Sequence, residues 1–300
     1  MRRYSWLLIL LAGCFWGIMG VFVHTFTAMG FTTMQIAAMR LMVSAIVMGV
    51  VIGLFCPRLF RVSLRDLPLL SILGIVSIGM MGYLYFTTIR LSMMSAAAVL
   101  LYLSPVVVML LSALIFKERI TTIKVISLAL AVGGCSLVSG IVSGGSIGWL
   151  AILTGLGSAV TYGSYSIIGP FALKKYHPFT VTVYAFAAAA IVLLALCDPI
   201  DLAQRMTAVN NSGIFCAQVL GLGLCTAVIP FVLYTLGLKY TSPSKASVLA
   251  CSEPVAAILF GMLVYGEYPD IFGWIGMAMV LFAIFLISHT NQQNKRSDTR

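Results

Sequence analysis

The chain alternates long apolar runs with short polar links. Apolar stretches bounded by charge, Pro or Gly fall near 6-26, 34-55, 67-89, 93-116, 123-142, 147-169, 179-197, 213-238, 246-265 and 271-288. Roughly 20 apolar residues cross the hydrocarbon of a bilayer as a helix, so the pattern predicts ten transmembrane helices. The shortest links are those around Arg90 and around Gly144-Gly145. None of the polar segments is long enough for a soluble domain, and with no water in hydrocarbon to satisfy the backbone, spans of this kind must be helical. The fold class expected is therefore all-α integral membrane. At the start, Arg2 and Arg3 precede an apolar run ending Leu11-Ala12-Gly13-Cys14, which imitates a lipoprotein processing signal. That run continues through Phe15, Trp16 and Ile18 to Phe26, which makes it a full span.

Composition supports this class, since 61% of the 300 residues are apolar and only 9% charged, far below the charge content of soluble domains. The net charge of +10 is spread over short links and never gathers on one polar segment, so no nucleic-acid partner is expected. Its distribution sets the orientation, because basic loops stay cytoplasmic during insertion. With the N-terminus inside, the cytoplasmic segments hold Arg2, Arg3, Arg58, Arg61, Arg65, Lys117, Arg119, Lys124, Lys174, Lys175, Lys239, Lys245, Lys295, Arg296 and Arg300, which is 15 of the 18 basic residues. Both termini are thus expected in the cytoplasm. The seven cysteines lack the close paired spacing of metal or disulfide frameworks and read as small buried hydrophobes.

Residues 85-118 align on 234-267 without a gap at an offset of 149, with ten of 34 positions identical. Tyr85/Tyr234, Val99/Val248, Leu100/Leu249, Pro105/Pro254, Val106/Val255 and Glu118/Glu267 are among them, and the Pro and Glu matches exceed what shared apolarity explains. The likeness reaches weakly to Trp16-Gly17 opposite Tyr162-Gly163. Two halves of five spans follow, 6-142 and 147-288, with a cytoplasmic tail at 289-300. An odd number of spans per half makes the second half enter from the opposite side, giving two inverted-topology five-helix repeats, an arrangement found in secondary transporters.

Pro105 and Pro254 sit near the middle of their runs, where a proline removes a backbone hydrogen bond and kinks a helix. A packing kink and a broken helix beside a cavity are both open readings. Glu253 precedes Pro254 in an otherwise uncharged span and would cost roughly 2.5 to 3.5 kcal/mol facing lipid, so it is expected to face the bundle interior. It is either a hydrogen-bonded structural acid, a proton-coupling group or a counter-charge for a substrate ammonium. Arg40, inside the second span, is either an anchor or the partner of a substrate carboxylate. Tyr85, Tyr102, Tyr162, Tyr165, Tyr234, Trp16 and Ser104 add amphipathic surface within the spans. No metal site is expected, because His24, His177 and His289 have no acidic or Cys partner at ligand spacing. The pairs Gly13/Gly17, Gly49/Gly53 and Gly140/Gly144 permit close helix approach and leave a homodimer open.

Taken together, Trp16-Gly17, Arg40, Pro105 and Glu118, Glu253-Pro254 and Gly266-Glu267 resemble the drug/metabolite transporter superfamily, and within it the EamA-like ten-helix family. The resemblance implies a bacterial inner-membrane carrier, often an exporter of amino acids or other small metabolites, with a central cavity between five-helix halves. Three positions depart from the family's pattern: Lys117-Glu118 stands for Gly-Glu, Tyr162 for the second-half Trp, and Ala187 where a second Arg40 would fall. No ATP-binding loop and no cofactor motif are present, so a secondary transporter working by alternating access is the leading expectation. The alternative is an integral membrane enzyme acting on a lipid-like substrate, for which Asp198, Asp201, Glu267 and Asp270 supply acids but with no nearby His or Cys ligand. The partners expected are the lipid bilayer and a small-molecule substrate.

Overall fold

The computed structural model describes residues 4–92, 94–139, 148–209, 212–266 and 268–297, and helices and turns are the only regular structure among them. In chain order the long helices are α1 (Ser5–Ala28), α2 (Thr33–Phe55), α3 (Leu67–Leu91), α4 (Ala96–Phe116), α5 (Thr122–Val138), α6 (Trp149–Leu173), α7 (Pro178–Leu196), α8 (Gly213–Leu238), α9 (Pro243–Tyr265) and α10 (Ile271–Ser288). Eight of these are long and apolar enough to cross a membrane. The other two are α5, with 17 described residues, and α6. At 25 residues α6 has the length, but it carries Thr154, Ser158, Thr161, Tyr162, Ser164, Tyr165 and Ser166 among its apolar positions. A short helix, Pro199–Ala208, lies between α7 and α8.

Local sequence explains most helix starts. A reciprocal Thr32/Gln35 capping box opens α2. Thr121 caps α5, and His177 followed by Pro178 opens α7. The interruptions are more informative. Tyr102 and Leu103 break α4 just before Ser104-Pro105, and Cys251 breaks α9 just before Ser252-Glu253-Pro254. Each proline therefore sits in the first turn of a new helical segment, where its missing N–H costs no intrahelical bond. The expected kinks are thus breaks. Wide π turns occur at Ile75–Met80 in α3 and Leu224–Val228 in α8. Ile75 and Leu224, Tyr102 and Cys251, and Lys117 and Gly266 all share the offset of 149 seen in the sequence. Lys117 (φ 54°) and Gly266 (φ 67°) both close their helices in the left-handed conformation.

Packing interleaves the first and last parts of the chain. The first helix, α1, lies against α8 and α9, while α6 lies against α3 and α4. Gly13 and Gly17 make the α1–α9 approach possible: a Cβ at Gly13 would fall 2.0 Å from Ser252 Oγ, and one at Gly17 would fall 2.6 Å from Ala256 Cβ and 2.7 Å from the Ala257 nitrogen. This small-residue pair is therefore used within the chain. Gly49 has open space beside it, and the Gly140/Gly144 pair and Glu267 lie outside the described residues. Large apolar side chains such as Leu54, Phe55, Leu114 and Leu263 are 74–80% exposed, the expected dress of a lipid-facing surface. Cys135, Cys197 and Cys251 are buried as expected, whereas Cys14, Cys56 and Cys216 face outward. Cys14 and Cys216 lie within apolar spans, where a thiol is tolerated as a small hydrophobe, and Cys56 caps the end of α2 beside Pro57-Arg58.

Polar contacts tie the early and late helices together at both ends of the bundle. At the basic end, Asp66 accepts hydrogen bonds from Lys175 Nζ and Tyr176 Oη, both 2.7 Å. These two partners hold its carboxyl below the usual range. Thr180 and Tyr184 donate to the Leu59 and Phe60 carbonyls. Glu118 accepts bonds from Lys124 Nζ, Ser112 Oγ and Ser244 Oγ. Burial works to raise its carboxyl, but the hydrogen bonds from Lys124, Ser112, Ser242 and Ser244 outweigh it and hold the group low. At the opposite end Arg205 donates to Asp201 and to the Gly30 carbonyl, and Gln35 donates to Asp201 at 2.6 Å.

Candidate functional site

The breaks in α4 and α9 meet at the centre of the bundle, and two adjoining cavities open there. The deeper one, about 30 Å³, is lined by Trp16, Ser77, Ser104, Tyr162, Tyr165, Phe231, Tyr234, Ser247 and Ala250. The second, about 10 Å³, is lined by Tyr102, Ser104, Pro105, Tyr162, Ser247, Ala250, Cys251 and Glu253. Ser104, Tyr162, Ser247 and Ala250 belong to both, which makes them one site with two compartments. Ser104 and Glu253 occupy equivalent places one residue before the two prolines, so the site carries a hydroxyl on one side and a carboxyl on the other.

Most residues expected from the sequence converge here. Trp16, Tyr102, Ser104, Pro105, Tyr162, Tyr234 and Glu253 line the cavity, as does Tyr165. Arg40 lies within electrostatic reach of Glu253 and Tyr162. No ion pair within 4 Å joins it to Glu253 among the described residues. Its Nη1 rests 3.4 Å from the Met19 sulfur, a weak acceptor, and its Nε is buried without a hydrogen-bond partner among the described residues. Tyr85 lies within reach of the Glu253 charge but lines neither compartment. Pro254 is buried and sets the break from behind. Glu253 itself receives one long hydrogen bond, from Tyr162 Oη at 3.5 Å.

The deep compartment has rigid aromatic walls. The Trp16 ring lies 5.2 Å from Phe231 and 5.4 Å from Tyr234, and Tyr165 lies 5.4 Å from Phe231, in edge-on or tilted arrangements favoured by ring quadrupoles. Three of its hydroxyls are paired with protein groups: Tyr234 with Ser166 at 2.7 Å, Tyr165 with Thr235 at 2.8 Å and Ser77 with Ser164 at 2.6 Å. Ser77, Phe231, Ser247, Ala250 and Cys251 are lining residues that the sequence reading passed over. Helical spacing points to one of them, since Phe231 precedes Tyr234 by three, whereas Ser247 and Ala250 lie across the Cys251 break from Glu253. Ser77 sits in a π turn, where that spacing fails.

Asp198 and Asp201 are engaged structurally. Asp198 caps the short helix through the Asp201 N–H, and Asp201 is held by Arg205 and Gln35, whose hydrogen bonds depress its carboxyl. Neither offers the free acid that lipid chemistry would require.

Comparisons with known proteins agree with this architecture. An uncharacterized transporter, YwfM of Bacillus subtilis (strain 168), is 25% identical over 293 residues, covering 97% of this chain and 96% of its own. A probable terminal-alkyne amino-acid exporter of Streptantibioticus cattleyicolor is 24% identical over 277 residues, covering 89% of this chain and 88% of its own. A solved crystal structure superposes with a TM-score of 0.80 at 19% identity, covering 98% of this chain and 99% of that one, which is a likeness of fold. The EamA-like transporter family matches residues 3–140 and again 149–289. This multi-pass membrane protein is a transporter and not an enzyme, and it belongs to the EamA-like transporter family.

Proposed function

We propose that the chain is a secondary transporter that moves small zwitterionic metabolites, amino acids or close relatives, out of the cell across the bacterial inner membrane. The single observation carrying this reading is the central cavity at two helix breaks, lined by Glu253, with Arg40 behind the lining, within electrostatic reach of Glu253 and not ion-paired to it among the described residues. A zwitterion supplies the missing partner to each charge, through charge-assisted hydrogen bonds stronger than neutral ones. In this reading all ten helices cross the membrane, α6 tolerating its hydroxyls because they face the cavity and neighbouring helices. The halves 6-142 and 147-288 are inverted repeats, which the shared offset of the π turns, breaks and left-handed caps supports. Rocking of the halves exposes the site to each side in turn, with the basic end and both termini cytoplasmic.

The test is counterflow in proteoliposomes with a radiolabelled panel of amino acids and organic cations. Saturable exchange of at least one solute is expected, and Arg40→Ala and Glu253→Gln should each weaken it about tenfold or more at equal insertion. Linear, non-saturating flux would point to a channel, and flux unchanged in both variants would remove the cavity from the mechanism.

A further inference from the structure

We propose that the link between α2 and α3, docked on the start of α7, is a headgroup site for anionic phospholipid. This goes beyond the transport reading and does not depend on it, since the link lies at the basic end of the bundle and lines neither cavity compartment.

The link runs from Cys56 to Asp66 and is held along its length by protein groups. Thr180 Oγ1 donates to the Leu59 carbonyl at 2.8 Å, and Tyr184 Oη donates to the Phe60 carbonyl at 3.0 Å. The Ser63 N–H donates to Tyr176 Oη at 3.2 Å, and Asp66 accepts from Tyr176 and Lys175 at 2.7 Å each. Leu59, Phe60 and Val62 pack against the core. The backbone is therefore fixed before any ligand arrives, and little freedom remains to be lost on binding.

On this fixed link stand Arg58, Arg61 and Arg65, all exposed, and the bond from Lys175 to Asp66 brings the exposed Lys174 and Lys175 alongside. Five cations thus gather around one carboxylate, and that carboxylate is engaged by Lys175. No acid pairs with Arg58, Arg61, Arg65 or Lys174 among the described residues. Like charges held together repel, and a bound anion relieves that repulsion. Guanidinium groups suit a phosphate, which they grip through two parallel N–H bonds.

The neighbouring surface decides which phosphate. Leu54 and Phe55, the last residues of α2, are 74% and 78% exposed, and Leu64 within the link is 82% exposed. Large apolar side chains beside unpaired arginines match a ligand that carries acyl chains under its phosphate. Tails lying along α2 keep the headgroup at the level of the arginines, so its local concentration far exceeds that of a free anion. A zwitterionic headgroup brings its own ammonium to the same place and cancels the attraction.

The experiment is thermal unfolding of the full chain in detergent with dioleoyl phosphatidylglycerol, dioleoyl phosphatidylcholine or glycerophosphate added in turn, and native mass spectrometry to count retained lipid. The glycerol lipid should raise the melting temperature by several degrees and stay bound, while the choline lipid and glycerophosphate have little effect. Arg58→Gln/Arg61→Gln should raise the half-effect concentration of the glycerol lipid by about tenfold. Lys117→Gln/Arg119→Gln, the same change of charge on the link between α4 and α5, should leave it within about twofold.

Equal stabilisation by the choline lipid removes the role of charge and overturns the proposal. Glycerophosphate as effective as the intact lipid overturns it too, by making the site one for soluble anions. An equal loss in both double variants, or no loss in Arg58→Gln/Arg61→Gln, takes the site away from this link. The comparison of headgroups needs no variant, so it decides the matter even if a double variant fails to fold. None of these outcomes bears on counterflow, by which the transport reading stands or falls separately.

Discussion

A single methyl group at Gly74 tests how closely α3 approaches α7. A Cβ built there would lie 2.1 Å from the Ala185 carbonyl oxygen and 2.8 Å from the Ala185 carbonyl carbon and Cα. Carbon and oxygen in close backbone contact stay about 3.3 Å apart, so α3 and α7 would have to part by about 1.2 Å. The obstacle is backbone, which cannot rotate away, and overpacking of this kind costs about 1–3 kcal/mol. Gly82, on the same helix, is the control, because a Cβ there meets nothing within 4 Å. Replacing glycine by alanine improves helix propensity by up to about 1 kcal/mol at either site, so that gain cancels when the two variants are compared. Thermal unfolding in detergent, followed by size-exclusion chromatography, should therefore place Gly74→Ala below Gly82→Ala by a few degrees. Gly74 also immediately precedes the π turn carrying Ser77, so counterflow should fall in Gly74→Ala and persist in Gly82→Ala. If Gly74→Ala melts together with or above Gly82→Ala, the close approach of α3 to α7 is wrong.

Two further outcomes follow from the ends of the bundle. Lys117 holds a left-handed conformation whose counterpart is Gly266, so Lys117→Gly should relieve about 1 kcal/mol of strain and raise the melting temperature; a lower melting temperature would refute the cap reading. The Asp66 carboxyl is depressed in the folded chain by Lys175 and Tyr176, so its stabilisation is present above the unfolded carboxylate value of about 3.9 and is lost as pH falls through the lower folded value. Melting temperature against pH should accordingly show a shallower acid decline in Asp66→Asn than in wild type, and superimposable acid limbs would show that this contact contributes nothing.

How much of this was legible in the sequence depends on the range over which each feature is determined. Helix existence follows from local apolarity, and the repeat at offset 149 foreshadowed the paired breaks because Pro105 and Pro254 are themselves the local cause. Glu253 and Arg40 could be placed inside the bundle on solvation cost alone. Their separation could not, since it depends on how α2 and α9 are held apart by helices distant in sequence. The π turns left no trace in composition, because a widened turn is set by tertiary packing, and Ser77 was missed with them. The spacing of Gly13 and Gly17 says that some helix can approach closely. Spacing alone does not say which helix fills such a groove, and it is α9 of the same chain.

The exchange of α1 and α6 between the early and late parts of the chain imposes a timetable on synthesis. When α6 leaves the ribosome, α3 and α4, against which it packs, have already been made. That suits a helix rich in hydroxyls, which is a poor resident of lipid by itself and finds polar partners at once. Its complement, α1, is made first yet packs against α8 and α9, made near the end. It must wait in the bilayer through most of translation, and its nearly unbroken apolar sequence equips it to do so. The helix that can tolerate solitude is the one the fold obliges to wait.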